Sequence, residues 1–550
     1  PMSDSRELGR RDHLIGAMLC VGYVALLLGT APDLAMSRDE SFYVHAAKSY
    51  AAWLGQLFEA PATAVIPESI DRAWSYNSEH PALMKLSFAI GWLAQKHLGL
   101  FRAESLAFRF PGILTAGLLL WLIYAWGASV MRREGALFAA LAFATMPRAF
   151  YHSHLACFDI PIAFFVTLSA YAYWRSLADK RWLPCLGLAF GLALATKHNS
   201  WILPGVFLIH FLLIRRAEAG TRNRQRFSWG WLPSMLFVGP VVLVATWPWL
   251  WHSPARRLLA YAQFHLRHVH YTYEDFGVSY FAPPVPMSVP FVMTLFTVSL
   301  TVLVLSLLGV YYRRDAIRLP RWAGQGRPGS RRTELLWLGC ALAAMLAIAL
   351  PSTPIFGGTK HWLTAYPFIA LFAGWGFVSV LDRAELALVT SKRALSIGLM
   401  SLLLLPGLVE TAKSHPFGLS HYTAAAGGGP GAADLGMNRQ FWGFTSGSLA
   451  DWLSERLPRG GSVWTGDTTH GAWAMMQRDG ILPSNIRAES RMRLADLALV
   501  HHEPHFAEVE YQAWVAFETV QPAFVLRYEG VPIISVYENP KGTGLGPSPD

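Results

Sequence analysis

Charge is scarce in this chain. Asp, Glu, Lys and Arg make up 15% of its 550 residues, while 53% are apolar and 22 are Trp. A soluble protein of this length would cover several domains with charged surface, so the composition excludes one. Cysteine is also sparse: Cys20, Cys157, Cys185 and Cys340 each lie in or beside an apolar run, and none forms a CxxC pair. That removes a disulfide framework and a zinc knuckle. No Walker-type or Rossmann glycine motif is present, and no internal repeat suggests a transporter of the inverted-repeat kind. The net charge of +10 does not mark a nucleic-acid partner, because Lys and Arg sit in short clusters between apolar runs.

What the chain has in abundance is long apolar runs. A membrane span needs roughly 20 such residues. Runs of suitable character lie near 14–31, 107–130, 135–151, 158–177, 182–196, 201–214, 230–248, 289–311, 334–351, 362–380 and 394–410, which predicts about eleven transmembrane helices. The first has no small-residue cleavage site before Asp33 and reads as an anchor, not a signal peptide. Residues 81–98 are interrupted by Lys85, Gln95, Lys96 and His97, and read as a helix lying at the interface. Lys197, His198 and Asn199 divide 182–214 into two short helices meeting at a polar turn, since a charge buried mid-span is costly.

With these assignments 23 cations fall on one side, in the N-terminal segment and the loops at 132–133, 175–181, 215–226, 313–332 and 383–393, against five in the short loops opposite. The positive-inside rule then makes the N-terminus cytoplasmic and the loops 32–106 and 249–288 external. The expectation is a polytopic α-helical protein of the plasma (inner) membrane, with a transmembrane module over 1–410. Residues 411–550 hold 14 acidic and 10 basic residues and no further span. Strand patterns at 462–465, 497–500 and 523–537, the last turning at Glu529-Gly530, alternate with helical stretches at 470–478 and 506–517. They predict a small external (periplasmic) α/β domain.

Candidate chemistry concentrates on the external side. Asp39 and Glu40 follow the first span, where partial desolvation favours a carboxylate base; a helix N-cap at Ser37 or Asp39 is the alternative. Next comes Asn77-Ser78-Glu79-His80-Pro81-Ala82-Leu83-Met84-Lys85-Leu86, with Lys85 either meeting a phosphate or snorkelling. Asp159 stands at the external mouth of a span, as an acid in apolar sequence or as another N-cap. In the loop 249–288, His265 and His268 admit a metal reading with Asp275. The reading adopted is an interfacial helix over lipid headgroups, with Arg256 and Arg257 against phosphate.

The order of these motifs carries a resemblance. An acidic pair past the first span, then His80-Pro81-Ala82-Leu83-Met84-Lys85-Leu86, then Arg109-Phe110-Pro111, then Asp159-Ile160-Pro161, resembles the GT-C membrane glycosyltransferases. Within them it is similar to the protein O-mannosyltransferase and lipid A aminoarabinose transferase group. Gly358-Thr359-Lys360-His361-Trp362-Leu363 and His415-Pro416-Phe417-Gly418-Leu419-Ser420 are similar to bacterial members. The usual second proline of His-Pro-Pro is Ala82 here, and the tail is unlike the β-trefoil of eukaryotic protein mannosyltransferases, which weighs against a protein acceptor.

The resemblance implies transfer of a hexosyl or pentosyl group from a polyprenyl-phosphate donor to an acceptor hydroxyl on a lipid, glycan or protein, with inversion. It implies Asp39 as the base, Asp159 shaping the same site, and Lys85, Lys197 and Lys360 on the donor phosphate. Arg256, Arg257 and His361 join the phosphate candidates, and Glu79, His80, His265 and His268 complete the site. No cofactor is required on this reading. The alternatives are a metal-dependent oligosaccharyltransferase-like enzyme, in which Asp39 and Asp159 would hold a divalent cation, and a non-enzymatic lipid or ion transporter.

Overall fold

The computed structural model describes residues 6–218, 227–318, 331–355, 357–388 and 391–542. Five of the twelve basic residues of 215–226 and 313–332, on which the orientation expectation leans, lie outside the described residues: Arg222, Arg224, Arg226, Arg321 and Arg327.

All eleven apolar runs are helical, but they are not eleven full spans. By length and apolarity five helices among the described residues qualify: Arg10–Asp33, Glu104–Val130, His198–Ala217, Leu363–Ala387 and Lys392–Ser414. A sixth arises if Val289–Thr297 and Leu300–Tyr312, bent by 119°, count as one. The expected count of eleven is not reached on that measure, and the reasons are local. The run 135–151 breaks between Arg133–Ala144 and Pro147–Ser153, because Pro147 has no N–H to continue the ladder and instead starts the next helix. The turn at 197–199 divides Leu183–Leu194 from Leu203–Glu218, as the polar residues there foretold. Residues 83–98 form one amphipathic helix ending at a left-handed Gly99.

Helices pack through small residues. A Cβ on Gly309 would collide with the carbonyl of Phe372, and one on Gly376 with that of Leu305. Helices Leu300–Tyr312 and Tyr366–Ala387 therefore touch backbone to backbone, the usual way apolar helices gain contact where neighbouring lipid is equally apolar.

The tail holds a five-stranded sheet. With β1 (Tyr273–Asp275) and β2 (Val278–Tyr280) forming a separate ribbon, the tail strands are β3 (Gly461–Trp464), β4 (Ile486–Ala488), β5 (Leu497–His501), β6 (Phe524–Tyr528) and β7 (Val531–Glu538). Their order is β4-β3-β5-β7-β6. β3 runs parallel to β4 and β5, while β7 is antiparallel to β5 and β6. Glu529 and Gly530, both at positive φ, make the tight turn between β6 and β7. The strand patterns and both helices of the tail are thus found, and β4 is added.

The tail does not stand apart from the helices. Trp473, Met476, Leu497 and Ile534 share one continuous apolar core with the membrane helices. Polar contacts pin the tail to the segment 32–106: Arg38 to Asp467 at 2.6 Å, Thr469 to Ser41 at 2.8 Å, and the Glu104 N–H to Asp479 at 2.8 Å. The tail therefore forms a wall of whatever the helices enclose on that side.

Candidate active site

Two adjacent carboxylates open the helix Arg38–Glu59 and take different roles. Ser37 is the N-cap, and Glu40, three residues on, completes a capping box by accepting the Ser37 N–H at 2.9 Å. Fully buried, Glu40 also accepts from Arg109 Nε at 2.8 Å, Arg109 Nη2 at 3.1 Å and the Ala156 N–H at 3.0 Å. All its capacity goes to framework, so the catalytic expectation for Glu40 is corrected. Because Ser37 and Glu40 do the capping, Asp39 is released from it.

Asp39 Oδ2 meets Lys360 Nζ at 2.8 Å, and Arg38 Nε stands 4.0 Å from Asp39 Oδ1. Burial pushes the Asp39 carboxyl up, but Lys360 and Arg38 outweigh it and hold the group below its ordinary value. Lys360 comes from the single turn Gly358–His361, with its ammonium 4.2 Å from the Trp442 ring centre. Gly357, at φ 71°, leaves room there, since a Cβ would strike both the Trp442 ring and the Lys360 side chain.

A second pair repeats the pattern. Asp159 begins the helix Asp159–Ser176 and offers no capping bond; Oδ1 meets Lys197 Nζ at 2.8 Å and Oδ2 lies 3.4 Å from His152 Nδ1. Asn199 Nδ2 donates to the His361 carbonyl at 2.9 Å, so the two lysine-bearing turns are fastened together. Both pairs line one cavity of about 630 Å³, together with Glu79, His80, His265, His268 and His361.

Two of the histidines there, His80 and His265, are held neutral by burial. Burial presses His265 down to about 4, and His80 well below its ordinary value. His198 and His265 stack at 4.0 Å, and His265 Nε2 donates to the Glu79 carbonyl at 2.9 Å. These two neutral imidazoles add hydrogen bonds but no charge, and Lys197, Lys360 and Arg38 bring cations to the cavity lining.

Three phosphate candidates are placed elsewhere. Lys85 is fully buried beneath the 77–80 turn, donating to the carbonyls of Asn77 at 2.5 Å and His80 at 2.9 Å. Burial lowers it to about 7 against the pull of Glu79. It positions the loop that carries Glu79 and His80 and does not reach the cavity. Arg257 is held by Asp71 at 2.7 Å and by the Trp249 carbonyl, and neither it nor Arg256 is among the described residues that line the cavity. His265, His268 and Asp275 do not converge on a metal-sized space; His268 Nδ1 faces the carbonyl of Val269.

Other groups at the cavity were not singled out from the sequence: Arg38, His152 beside Asp159, Trp442 beneath Lys360, and Glu503 and His505 from the tail. Glu503 and His505 follow β5, and Asp467, the partner of Arg38, follows β3. These loops leave the carboxyl ends of neighbouring parallel strands, the place where α/β sheets bind ligands. Burial, aided by Asp467 and Glu274, raises Glu503 well above its ordinary value. The available signal was the polar run after each strand, Gly466-Asp467-Thr468 and His502-Glu503-Pro504-His505.

Residues 80–252 match the family model described as dolichyl-phosphate-mannose-protein mannosyltransferase. The matched segment holds His80, Lys85, Asp159 and Lys197, and the resemblance read from the motifs extends over it. No curated protein matches the sequence. Among solved structures, the chain is similar to ArnT from Cupriavidus metallidurans bound to undecaprenyl phosphate, at 16% identity and TM-score 0.47, covering 96% of this chain and 99% of that one. It is also similar to the archaeal oligosaccharyltransferase AglB from Archaeoglobus fulgidus in complex with an inhibitory peptide and a dolichol-phosphate, at 13% identity and TM-score 0.44, covering 71% and 55%.

Proposed function

We propose that this chain is an integral membrane glycosyltransferase that moves a hexosyl or pentosyl group from a polyprenyl-phosphate donor to an acceptor hydroxyl, with inversion. The observation that carries the reading is the pairing of two aspartates, each with one lysine, around a single cavity: Asp39 with Lys360 and Asp159 with Lys197. The family match over 80–252 supports it.

The chemistry needs two services. The acceptor oxygen attacks the anomeric carbon, the bond from that carbon to the phosphate oxygen breaks with its electron pair going to the phosphate, and the hydroxyl proton passes to a base. Lys360 and Lys197 serve the leaving phosphate and Asp39 takes the proton. The low Asp39 pKa makes it a weak base while Lys360 holds it. A donor phosphate competes for the Lys360 ammonium, and as Lys360 shifts toward it the carboxylate of Asp39 becomes more basic when the acceptor must be deprotonated. Asp159 keeps Lys197 in place through its single contact, with His152 behind it.

The cavity lies on the side of the first long loop and the tail, so the proposed topology places both outside the plasma (inner) membrane, with the N-terminus cytoplasmic. The donor would arrive through the lipid, and the acceptor, a lipid, a glycan or a protein, from the external phase. The oligosaccharyltransferase-like alternative asks Asp39 and Asp159 to bind a divalent cation, yet each already holds an ammonium at 2.8 Å. Like charges would crowd there. The test is sugar transfer by protein in liposomes with a radiolabelled polyprenyl-phosphate sugar: the wild type should transfer label to envelope glycolipid or glycan, and Asp39→Asn should not. Transport of the lipid without transfer of sugar, unaffected by Asp39→Asn, would refute the enzyme.

A further inference from the structure

Glu274, Glu503 and His505 come together from distant parts of the chain. Glu274 lies in β1, in the segment between two apolar helices, while Glu503 and His505 follow β5 of the tail. Their donor atoms all lie within 4.8 Å of one another. His505 Nδ1 is 2.6 Å from Glu274 Oε1, and His505 Nε2 is 3.7 Å from Glu503 Oε2. Both carboxylates are buried, Glu274 at 1% exposure and Glu503 at 9%.

Hydrogen bonding leaves this group incomplete. Glu274 Oε1 accepts from the His505 N–H at 3.1 Å, but Glu274 Oε2 and Glu503 Oε1 are buried with no hydrogen-bond partner among the described residues. Asp275 Oδ1, on the neighbouring residue, is in the same condition. Buried carboxylate oxygens are ordinarily paired, bonded or bound to metal. Asp467, itself paired with Arg38, adds further negative charge to the surroundings of Glu503. The chain here gathers anions and an imidazole, and Arg38, the cation that acts on Glu503, is itself hydrogen-bonded to Asp467.

We propose that Glu274, Glu503 and His505 bind one divalent transition-metal ion of the zinc class, which clasps the loop of β1 to the tail in the wall of the cavity. Two carboxylates and an imidazole suit zinc or a similar ion, whereas calcium asks for six to eight oxygen donors and magnesium for a nearly all-oxygen octahedron. Donors on a tetrahedral zinc stand about 3.4 Å apart at bond lengths of about 2.1 Å, so a contraction of the order of 1 Å closes the shell around the ion. Three protein ligands leave a position for water. Glu503, His505 and Tyr273 all line the cavity, so the ion fixes the shape of the wall that faces an acceptor. This site is separate from the two aspartate–lysine pairs, and it stands whether or not the chain transfers sugar.

The test uses the full chain in detergent, stripped with EDTA, dialysed against micromolar zinc chloride and freed of excess metal. Elemental analysis should find one zinc per chain. X-ray absorption at the zinc edge should give a shell of one imidazole nitrogen with carboxylate or water oxygens at about 2.0 to 2.2 Å. Glu274→Gln and Glu503→Gln, each checked for an unchanged elution volume, should lower zinc affinity at least tenfold, while Asp39→Asn keeps the ion. Zinc-free wild type, full retention in both glutamine variants, or loss only on His265→Gln would overturn the proposal. Should the variants not fold, the wild-type spectrum decides alone, and a shell lacking either the single imidazole or the oxygens overturns it.

Discussion

Asp39 and Glu40 are neighbours in sequence, both carboxylates and both ion-paired, yet the structure separates them by the kind of cation each meets. Glu40 is gripped by Arg109 through two nitrogens and by two backbone N–H groups as well. Asp39 is hydrogen-bonded by one lysine ammonium through one oxygen, with Arg38 Nε 4.0 Å from the other. A planar guanidinium fixes a carboxylate in a fork, while an ammonium is a point charge on a flexible stem that can change partner. The same division runs through the molecule. Asp12 is held by Arg133 through Nε and Nη2, and Arg132 bridges Asp382 and Glu385. Asp39 and Asp159, two of the acids that line the cavity, have lysine. Lysine serves framework elsewhere, as Lys85 does beneath the 77–80 turn, so the contrast lies in how Glu40 and the two cavity aspartates are held.

The largest effect expected from this contrast is on turnover. Asp39→Asn should lower sugar transfer by about 10²- to 10⁴-fold, the usual cost of losing a general base. Its expression and thermal midpoint should stay close to wild type, because Asp39 neither caps the helix nor belongs to the Arg109 fork. Radiolabel transfer alongside a thermal-shift assay would measure both, and near wild-type turnover would return Asp39 to a structural role. Next in size is the opposite outcome one residue along. Glu40→Gln leaves Arg109 buried without its counter-ion, and breaking such a pair costs about 3 to 5 kcal/mol. That variant should fold poorly or melt early; a stable Glu40→Gln protein with impaired catalysis would erase the distinction.

How much of this was legible follows from sequence distance. The lysines and aspartates could be found because each stands beside an apolar run, and the cost of charge near lipid makes such residues conspicuous. The partners were another matter. Arg38 meets Asp467 across 429 positions, and no local pattern encodes that contact. Glu503 and His505 sit in a polar run that reads as an ordinary loop until β3 and β5 are seen to be parallel neighbours. Lys85 misled for a related reason. Its spacing from Pro81 put it correctly on the first turns of Leu83–Leu98, but only the folded 77–80 turn shows its ammonium spent on backbone carbonyls. Fewer long apolar helices than apolar runs are found among the described residues, because composition cannot tell an unbroken helix from one stopped at Pro147 or bent at Ser299.

A mid-sized effect sharpens the lysine side of the contrast. Lys360→Ala should weaken use of the donor by about one to two orders of magnitude, from loss of a charged hydrogen bond worth roughly 1.5 to 3 kcal/mol. Lys360→Arg keeps the charge, yet it should not rescue, because a fork would hold Asp39 as Arg109 holds Glu40. Kinetics at varied donor and varied acceptor would separate the roles. Full activity of Lys360→Arg would mean that charge alone matters and that transfer of the contact is not part of the mechanism.

The smallest effect expected is a displacement on the pH axis. In the wild type Lys360 and Arg38 together hold the Asp39 carboxyl below its ordinary value in spite of burial. The acid limb of kcat/KM, which reports the base of the free enzyme, should therefore lie below the usual carboxylate range. In Lys360→Gln the strongest opposing charge is gone and burial remains, so the same limb should move to higher pH. Stability shifts with it. A depressed folded pKa contributes stability above the unfolded value that is lost as pH falls through the folded one. Lys360→Gln should thus lose less stability on acidification than the wild type, even though its residual activity falls off earlier. Transfer rates and thermal midpoints of both proteins between neutral pH and the acid range would measure the two together. An acid limb that stays in place in Lys360→Gln would show that the base titrating there is not Asp39.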